Sequence, residues 1–147
     1  MSYSDLVTHA ANDPETVART LYARDPSVAT FGIELVAASG SAAEVRMVAR
    51  ADLCNGFGIL HGGVTFVLAD SAMAFASNAG NVTSLASSAA IDWLAPIATG
   101  DVLTAVASQR WTNNRSTMWD ITVSNAAGDV VALFRGTTRK VGPAIVE

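Results

Sequence analysis

Asp70 is the residue in this sequence whose surroundings ask most plainly for an explanation. Val67, Leu68 and Ala69 precede it, and Ala72, Met73 and Ala74 follow. Burying a carboxylate without partners costs on the order of several kcal/mol, and aspartate is a poor residue for a helix interior. Two readings follow: a local polar strip shared with Ser71 and Ser77, or a cleft in which a partly desolvated carboxylate acts as base or nucleophile. The second is preferred. The other candidate is His61-Gly62-Gly63, where the same apolar stretch begins. Glycines at a helix start admit a ligand close to the backbone, and the free N–H groups there bind developing negative charge. Taken alone the triplet is equally a tight turn that needs positive φ. A histidine nine residues before an aspartate in one apolar helix is much more specific.

Spacing constrains how these groups work. Gly62 and Asp70 are eight residues apart, about 12 Å along a helix. A carbonyl-polarising N–H and an attacking base must each lie within about 3 Å of the reacting group. One chain therefore cannot bring both to one substrate atom. Two antiparallel copies of the helix, related by a two-fold axis, place Gly62 of one beside Asp70 of the other, with two sites per dimer.

The elements that hold these residues can be read in order. Asp13-Pro14-Glu15 is a helix start, Leu21 and Tyr22 continue it, and Asp25-Pro26 closes it, giving an N-terminal helical segment over about residues 1–25. Ile33, Leu35 and Ala37 alternate on one face, Ser39-Gly40-Ser41 turns the chain, and Val45, Met47 and Ala49 return as the second arm of a hairpin. Asn55-Gly56-Phe57-Gly58 bends into the helix that runs from the His61 triplet to Asn78, with Gly80 as its C-terminal cap. Apolar residues lie all round that helix, so protein must enclose it. Strands are expected at Leu85–Leu94, Val102–Trp111, Met118–Asn125 and Val130–Val141, separated by Pro96–Asp101, Thr112-Asn113-Asn114 and Ala127-Gly128-Asp129. The order predicts an α+β domain over residues 1–147, a curved antiparallel sheet of about six strands wrapped around one long buried helix.

Composition narrows the function classes. Half of the 147 residues are hydrophobic and 15% are charged, which excludes intrinsic disorder. The net charge of −4 argues against nucleic acid. Five of the nine basic residues nevertheless fall between Arg110 and Lys140, so a local phosphate contact stays open. Arg115, Arg135, Arg139 and Lys140 read either as such contacts or as the solvated face of strands. Cys54 has no cysteine to pair with and reads as a small buried thiol. Two histidines and one cysteine form no recognisable metal cluster. Asn55 is a turn residue or a side-chain amide at the site, and Asp92-Trp93 and Trp119 read as sheet packing. The start, MSYSDLVTHAAND, has no basic or apolar core of a secretory signal, and no run reaches the roughly 20 apolar residues of a membrane span. The expected location is the cytoplasm.

The stretch Asn55-Gly56-Phe57-Gly58-Ile59-Leu60-His61-Gly62-Gly63, followed by Leu68-Ala69-Asp70-Ser71-Ala72 and Ala76-Ser77-Asn78, resembles the hotdog-fold acyl-CoA thioesterases, and among them the phenylacetic-acid-degradation group. The likeness continues through Ile91-Asp92-Trp93-Leu94-Ala95-Pro96, Gly100-Asp101 and Val131-Ala132-Leu133-Phe134-Arg135-Gly136, over about residues 28–141. It implies hydrolysis of a thioester between coenzyme A and an aromatic acyl group of the phenylacetyl or hydroxyphenylacetyl type. Asp70 would be base or nucleophile, the Gly62 N–H would polarise the carbonyl, and Asn55 and His61 would complete the catalytic set. Gly63, Ser71, Arg115 and Arg135 are the expected substrate contacts. Ser71 stands where close relatives often carry threonine. The resemblance also implies a homodimer assembling to a homotetramer and no cofactor, coenzyme A being part of the substrate. The alternatives are a hotdog hydratase or dehydratase, which needs a histidine and an acid at carbon, and a non-catalytic acyl-CoA binding protein. Apart from His61 the only histidine is His9, expected to lie away from the site.

Overall fold

A computed structural model describes residues 13–147; His9 and the first half of the expected N-terminal segment fall outside the described residues. Helix α1, Pro14–Ala23, starts where Asp13 accepts the Thr16 N–H, with proline in its first turn. A second helix follows at once: α2, Pro26–Phe31, is N-capped by Asp25, and Gly32 at φ 69° ends it. On sequence alone Asp25-Pro26 reads only as a stop. An aspartate before a proline is also a strong start signal, and here it does both jobs.

Strands β1 (Glu34–Ala38) and β2 (Ala42–Val48) form the expected hairpin. Val45, Met47 and Ala49 are buried as the alternation predicts, and so are Ile33 and Leu35. Ala37 is exposed, because the register slips between Leu35 and Ala37 and turns the rest of β1 over. A single 3-10 turn, Ala51–Leu53, leads to the long helix α3, Gly62–Asn78. Strands β3 (Ser84–Trp93), β4 (Val102–Thr112), β5 (Ser116–Ser124) and β6 (Val130–Lys140) complete one six-stranded antiparallel sheet in the order β1-β2-β4-β5-β6-β3. The expected fold class holds.

Helix α3 lies across the sheet, with Leu68, Ala69, Ala72, Met73 and Ala76 fully buried against Val45, Leu103, Ile121 and Phe134. Tyr22 of α1 meets Phe75 edge to face at 5.7 Å and closes part of the other side. The helix ends through Ala79 in right-handed geometry, and the left-handed residue is Asn81 (φ 61°) rather than Gly80. One expectation needs correction. A strip of α3, Phe66, Val67, Asp70, Ser71, Ala74 and Ser77, stays half-exposed, so this chain does not enclose its own helix on all sides. Strand β3 is open as well: among the described residues it pairs only with β6, and nearly all its residues are exposed on both faces. Among the described residues no helix is long and apolar enough to cross a membrane.

Candidate active site

The start of α3 is built around one histidine. His61 is the N-cap, extended at φ −61° and ψ 131°, and its Nδ1 accepts the Gly63 N–H at 2.9 Å. Its carbonyl oxygen takes the N–H of Val64 at 2.9 Å and of Thr65 at 3.4 Å. The first-turn donors are thus spoken for except one. No acceptor among the described residues meets the Gly62 N–H, the orphan expected at the first helical position. Gly63, expected to touch substrate, has its N–H committed to His61. Because Nδ1 accepts, the ring proton lies on Nε2, which presents a donor.

Trp93 closes over this helix start from the end of β3. Its Nε1–H donates to the Gly62 carbonyl at 3.1 Å, and a Cβ on residue 62 would stand 3.0 Å from Nε1. Glycine lets the indole approach this closely, and its φ is not unusual. The sequence pattern assigns Trp93 to sheet packing; Trp119 does pack, buried with its Nε1–H on Thr138 Oγ1 at 3.0 Å, whereas Trp93 remains 56% exposed over Gly62. Asn55 sits in the same cleft of about 290 Å³, together with Gly62, Thr65, Trp93 and Pro96. Its Oδ1 accepts the Phe57 N–H at 3.0 Å and fixes the bend, leaving its amide NH₂ without a partner among the described residues. Thr65 adds a hydroxyl that sequence reasoning missed. It is buried, and its Oγ1 has no hydrogen-bond partner among the described residues. The signal was a lone polar residue one turn after Gly62 in an apolar helix.

Asp70 opens elsewhere. It lines a separate cavity of about 620 Å³ beside Met73, Ala74 and Ser77 on α3, with Leu21, Leu85 and Ile145 across from them. No donor among the described residues reaches its carboxylate, and burial pushes its pKa above the ordinary aspartate value. Eight residues of continuous helix separate it from Gly62, about 12 Å. Ser71 beside it donates to its own helix at Val67 O, 2.8 Å.

The two arginines lie away from both cavities. Arg135 is on the sheet face opposite α3, held by Asp120 through Nε–Oδ1 at 2.7 Å and Nη2–Oδ2 at 3.2 Å, with Arg110 on the same carboxylate at 3.7 Å. Arg115 is in the exposed β4–β5 turn, where its backbone N–H donates to Asn113 Oδ1. Cys54 is half-buried, with Sγ 3.1 Å from Thr99 Oγ1.

Comparison with known proteins bears on this arrangement. The family model described as Thioesterase superfamily matches residues 57–132, the span from the glycine bend through α3, β3, β4 and β5 to the start of β6. The acyl-coenzyme A thioesterase PaaI of Escherichia coli strain K12 is 36% identical over 128 residues, covering 87% of this chain and 91% of that protein. A putative esterase of Archaeoglobus fulgidus is 29% identical over 127 residues, 86% of this chain and 82% of its own length. Among solved structures, the E. coli PaaI protein from the phenylacetic acid degradation operon superposes with a TM-score of 0.85 at 35% identity, over 87% of this chain and 93% of that one. A mutant of the phenylacetic acid degradation protein PaaI from Thermus thermophilus gives 0.77 at 32% identity, over 80% of this chain and all of the other.

Proposed function

This chain belongs to the thioesterase superfamily, as an acyl-CoA thioesterase of the PaaI type, and from that premise we propose that it hydrolyses aromatic acyl-CoA esters at a site shared by two copies of the chain. The observation that carries the reading is the pairing of two groups without a partner among the described residues: the N–H of Gly62 and the partly desolvated carboxylate of Asp70, opening into different cavities of one chain. The half-exposed strip of α3 and the unpaired edge of β3 support a second copy that covers both. Two such dimers then form the tetramer.

In this site the Gly62 N–H of one copy holds the thioester oxygen, and Asp70 of the other acts at the carbonyl carbon. As a base, Asp70 takes a proton from water while the water oxygen bonds to carbon. Negative charge moves to the carbonyl oxygen, where the amide stabilises it. Collapse breaks the C–S bond, and the departing thiolate recovers the proton. As a nucleophile, Asp70 bonds to the carbon directly, the thiolate leaves, and water cleaves the anhydride. The products are the same free acid and free coenzyme A. Asn55 turns its unused amide toward the thioester, and His61 holds the helix start in shape. The Nδ1 lone pair of His61 is taken by the Gly63 N–H, which disfavours the hydratase chemistry, where a ring lone pair must remove a proton from carbon. The mostly apolar walls beside Asp70 suit an uncharged ring. Arg135, tied to Asp120, is a weaker phosphate contact than the exposed Arg115.

Thiol release from acetyl-, hexanoyl- and phenylacetyl-CoA by the parent and by Asp70→Asn tests the assignment. The parent should prefer the aromatic ester, and the variant should lose about 10²- to 10⁴-fold, the usual contribution of a positioned base. Parental rates in Asp70→Asn, or no release by the parent, would overturn it.

A further inference from the structure

The segment that follows β6 crosses back over the chain and is tied down at the cavity that holds Asp70. Asn81 does most of the tying. Its Oδ1 accepts the N–H groups of Ile145 at 3.0 Å and Val146 at 2.9 Å, and its Nδ2 donates to Val146 O at 2.8 Å. Arg24 adds a bond from Nη1 to Ile145 O at 3.2 Å, and Thr83 donates to Pro143 O through both its N–H and its hydroxyl. Asn81 adopts the left-handed conformation at φ 61°, which side chains other than glycine enter at some cost. Three bonds from one side chain to one segment give a physical reason for asparagine at this position.

The consequence lies inside the cavity. Asp70, Met73, Ala74 and Ser77 share one face of α3, and the run from Asp70 to Ser77 is about 10 Å long. Ile145 and Ala144 line the same space from the strapped segment. A volume of about 620 Å³ is within the range that holds a small organic group. We propose that this cavity receives the acyl group of the thioester, and that the segment 142–147, clasped by Asn81, forms its wall, with Ile145 the residue that sets which acyl groups fit. The inference rests on the thioesterase reading above, in which the carbonyl carbon stands at Asp70 and the acyl group must continue from there. The Gly62 cleft of the second copy then faces the thiol side.

Three variants test it: Ile145→Trp to fill the space, Ile145→Ala to enlarge it, and Asn81→Gly to keep the left-handed backbone while removing the clasp. Each is assayed for kcat and KM on acetyl-, hexanoyl-, decanoyl- and phenylacetyl-CoA, with circular dichroism to verify folding. Ile145→Trp should lower the phenylacetyl-to-acetyl ratio of kcat/KM at least tenfold, mainly through KM. Ile145→Ala should move the preference toward decanoyl, and Asn81→Gly should flatten the whole series. Ratios within twofold of the parent in all three folded variants would refute the wall while leaving the thioesterase reading intact. A parent that hydrolyses none of the four esters would refute that reading and the wall with it.

Discussion

Replacing Gly62 by proline removes its N–H, and set against alanine at the same position it tests the amide's role sharply. Residue 62 is the first residue of α3, where proline is well tolerated because that N–H has no partner within the helix. His61 is already extended, as the residue before a proline must be. The complication is steric: any Cβ at this position meets the Trp93 ring, 3.0 Å from Nε1 and 3.1 Å from Cε2. Gly62→Ala is therefore the proper reference, since it adds the same Cβ and keeps the N–H. Trp93 is half-exposed and can give way, at the expense of its 3.1 Å bond to the Gly62 carbonyl. That bond is worth about 0.5–1.5 kcal/mol, so Gly62→Ala should lose about tenfold at most. Removing one oxyanion donor costs about 10²- to 10³-fold in kcat, or about 2.7–4 kcal/mol. Gly62→Pro should accordingly fall at least another tenfold below Gly62→Ala in thiol release from phenylacetyl-CoA, while the two melt within a few degrees of each other. Equal rates in two equally folded variants would show that the Gly62 N–H takes no part in catalysis.

Other consequences follow from the same groups. Burial raises the Asp70 pKa and the ionised form is the active one, so kcat/KM should rise with pH through an acid limb centred above the ordinary aspartate value; a limb at that value would contradict the desolvation. A raised folded-state pKa means the charged carboxylate costs stability once pH exceeds it, so Asp70→Asn should be more stable than the parent at pH 7, with the gain disappearing toward pH 3. A variant less stable than the parent at pH 7 by thermal melting would mean that the carboxylate has a stabilising partner. Thr65→Val removes a buried hydroxyl that has no partner among the described residues and should raise stability by about 1 kcal/mol in denaturant unfolding; a loss of that size would show the hydroxyl to be bonded.

Asp70 and the glycine triplet were legible because each breaks a local rule: a carboxylate within an apolar helix, and two glycines at its start. The strands were legible from their period-two alternation, as in Trp119, Ile121 and Val123, all of them buried. What escaped depends on neighbours distant in sequence. Trp93 reads as one more strand aromatic until β3 is seen to end over Gly62. Arg135 reads as a free cation until β5 sets Asp120 opposite it in register. The slip at Leu35 and Ala37 leaves the composition of β1 ordinary, and only the pairing with β2 reveals it. The strapped segment was invisible for the same reason, because the partners of Asn81 lie more than sixty residues away. Helix α3 shows the opposite limit. Its apolar pattern correctly called for burial, but a pattern cannot say whether the same chain or another supplies the cover.

The shared site is tested most directly by joining two defective chains. Gly62→Pro and Asp70→Asn subunits carrying different affinity tags can be coexpressed and the mixed dimer purified. If Gly62 of one copy works with Asp70 of the other, both lesions fall in one site and the second site is intact. The mixed dimer should then hydrolyse phenylacetyl-CoA at about half the parental rate, although each variant alone is nearly inactive. A mixed dimer no more active than its two parents would contradict a site built across two chains.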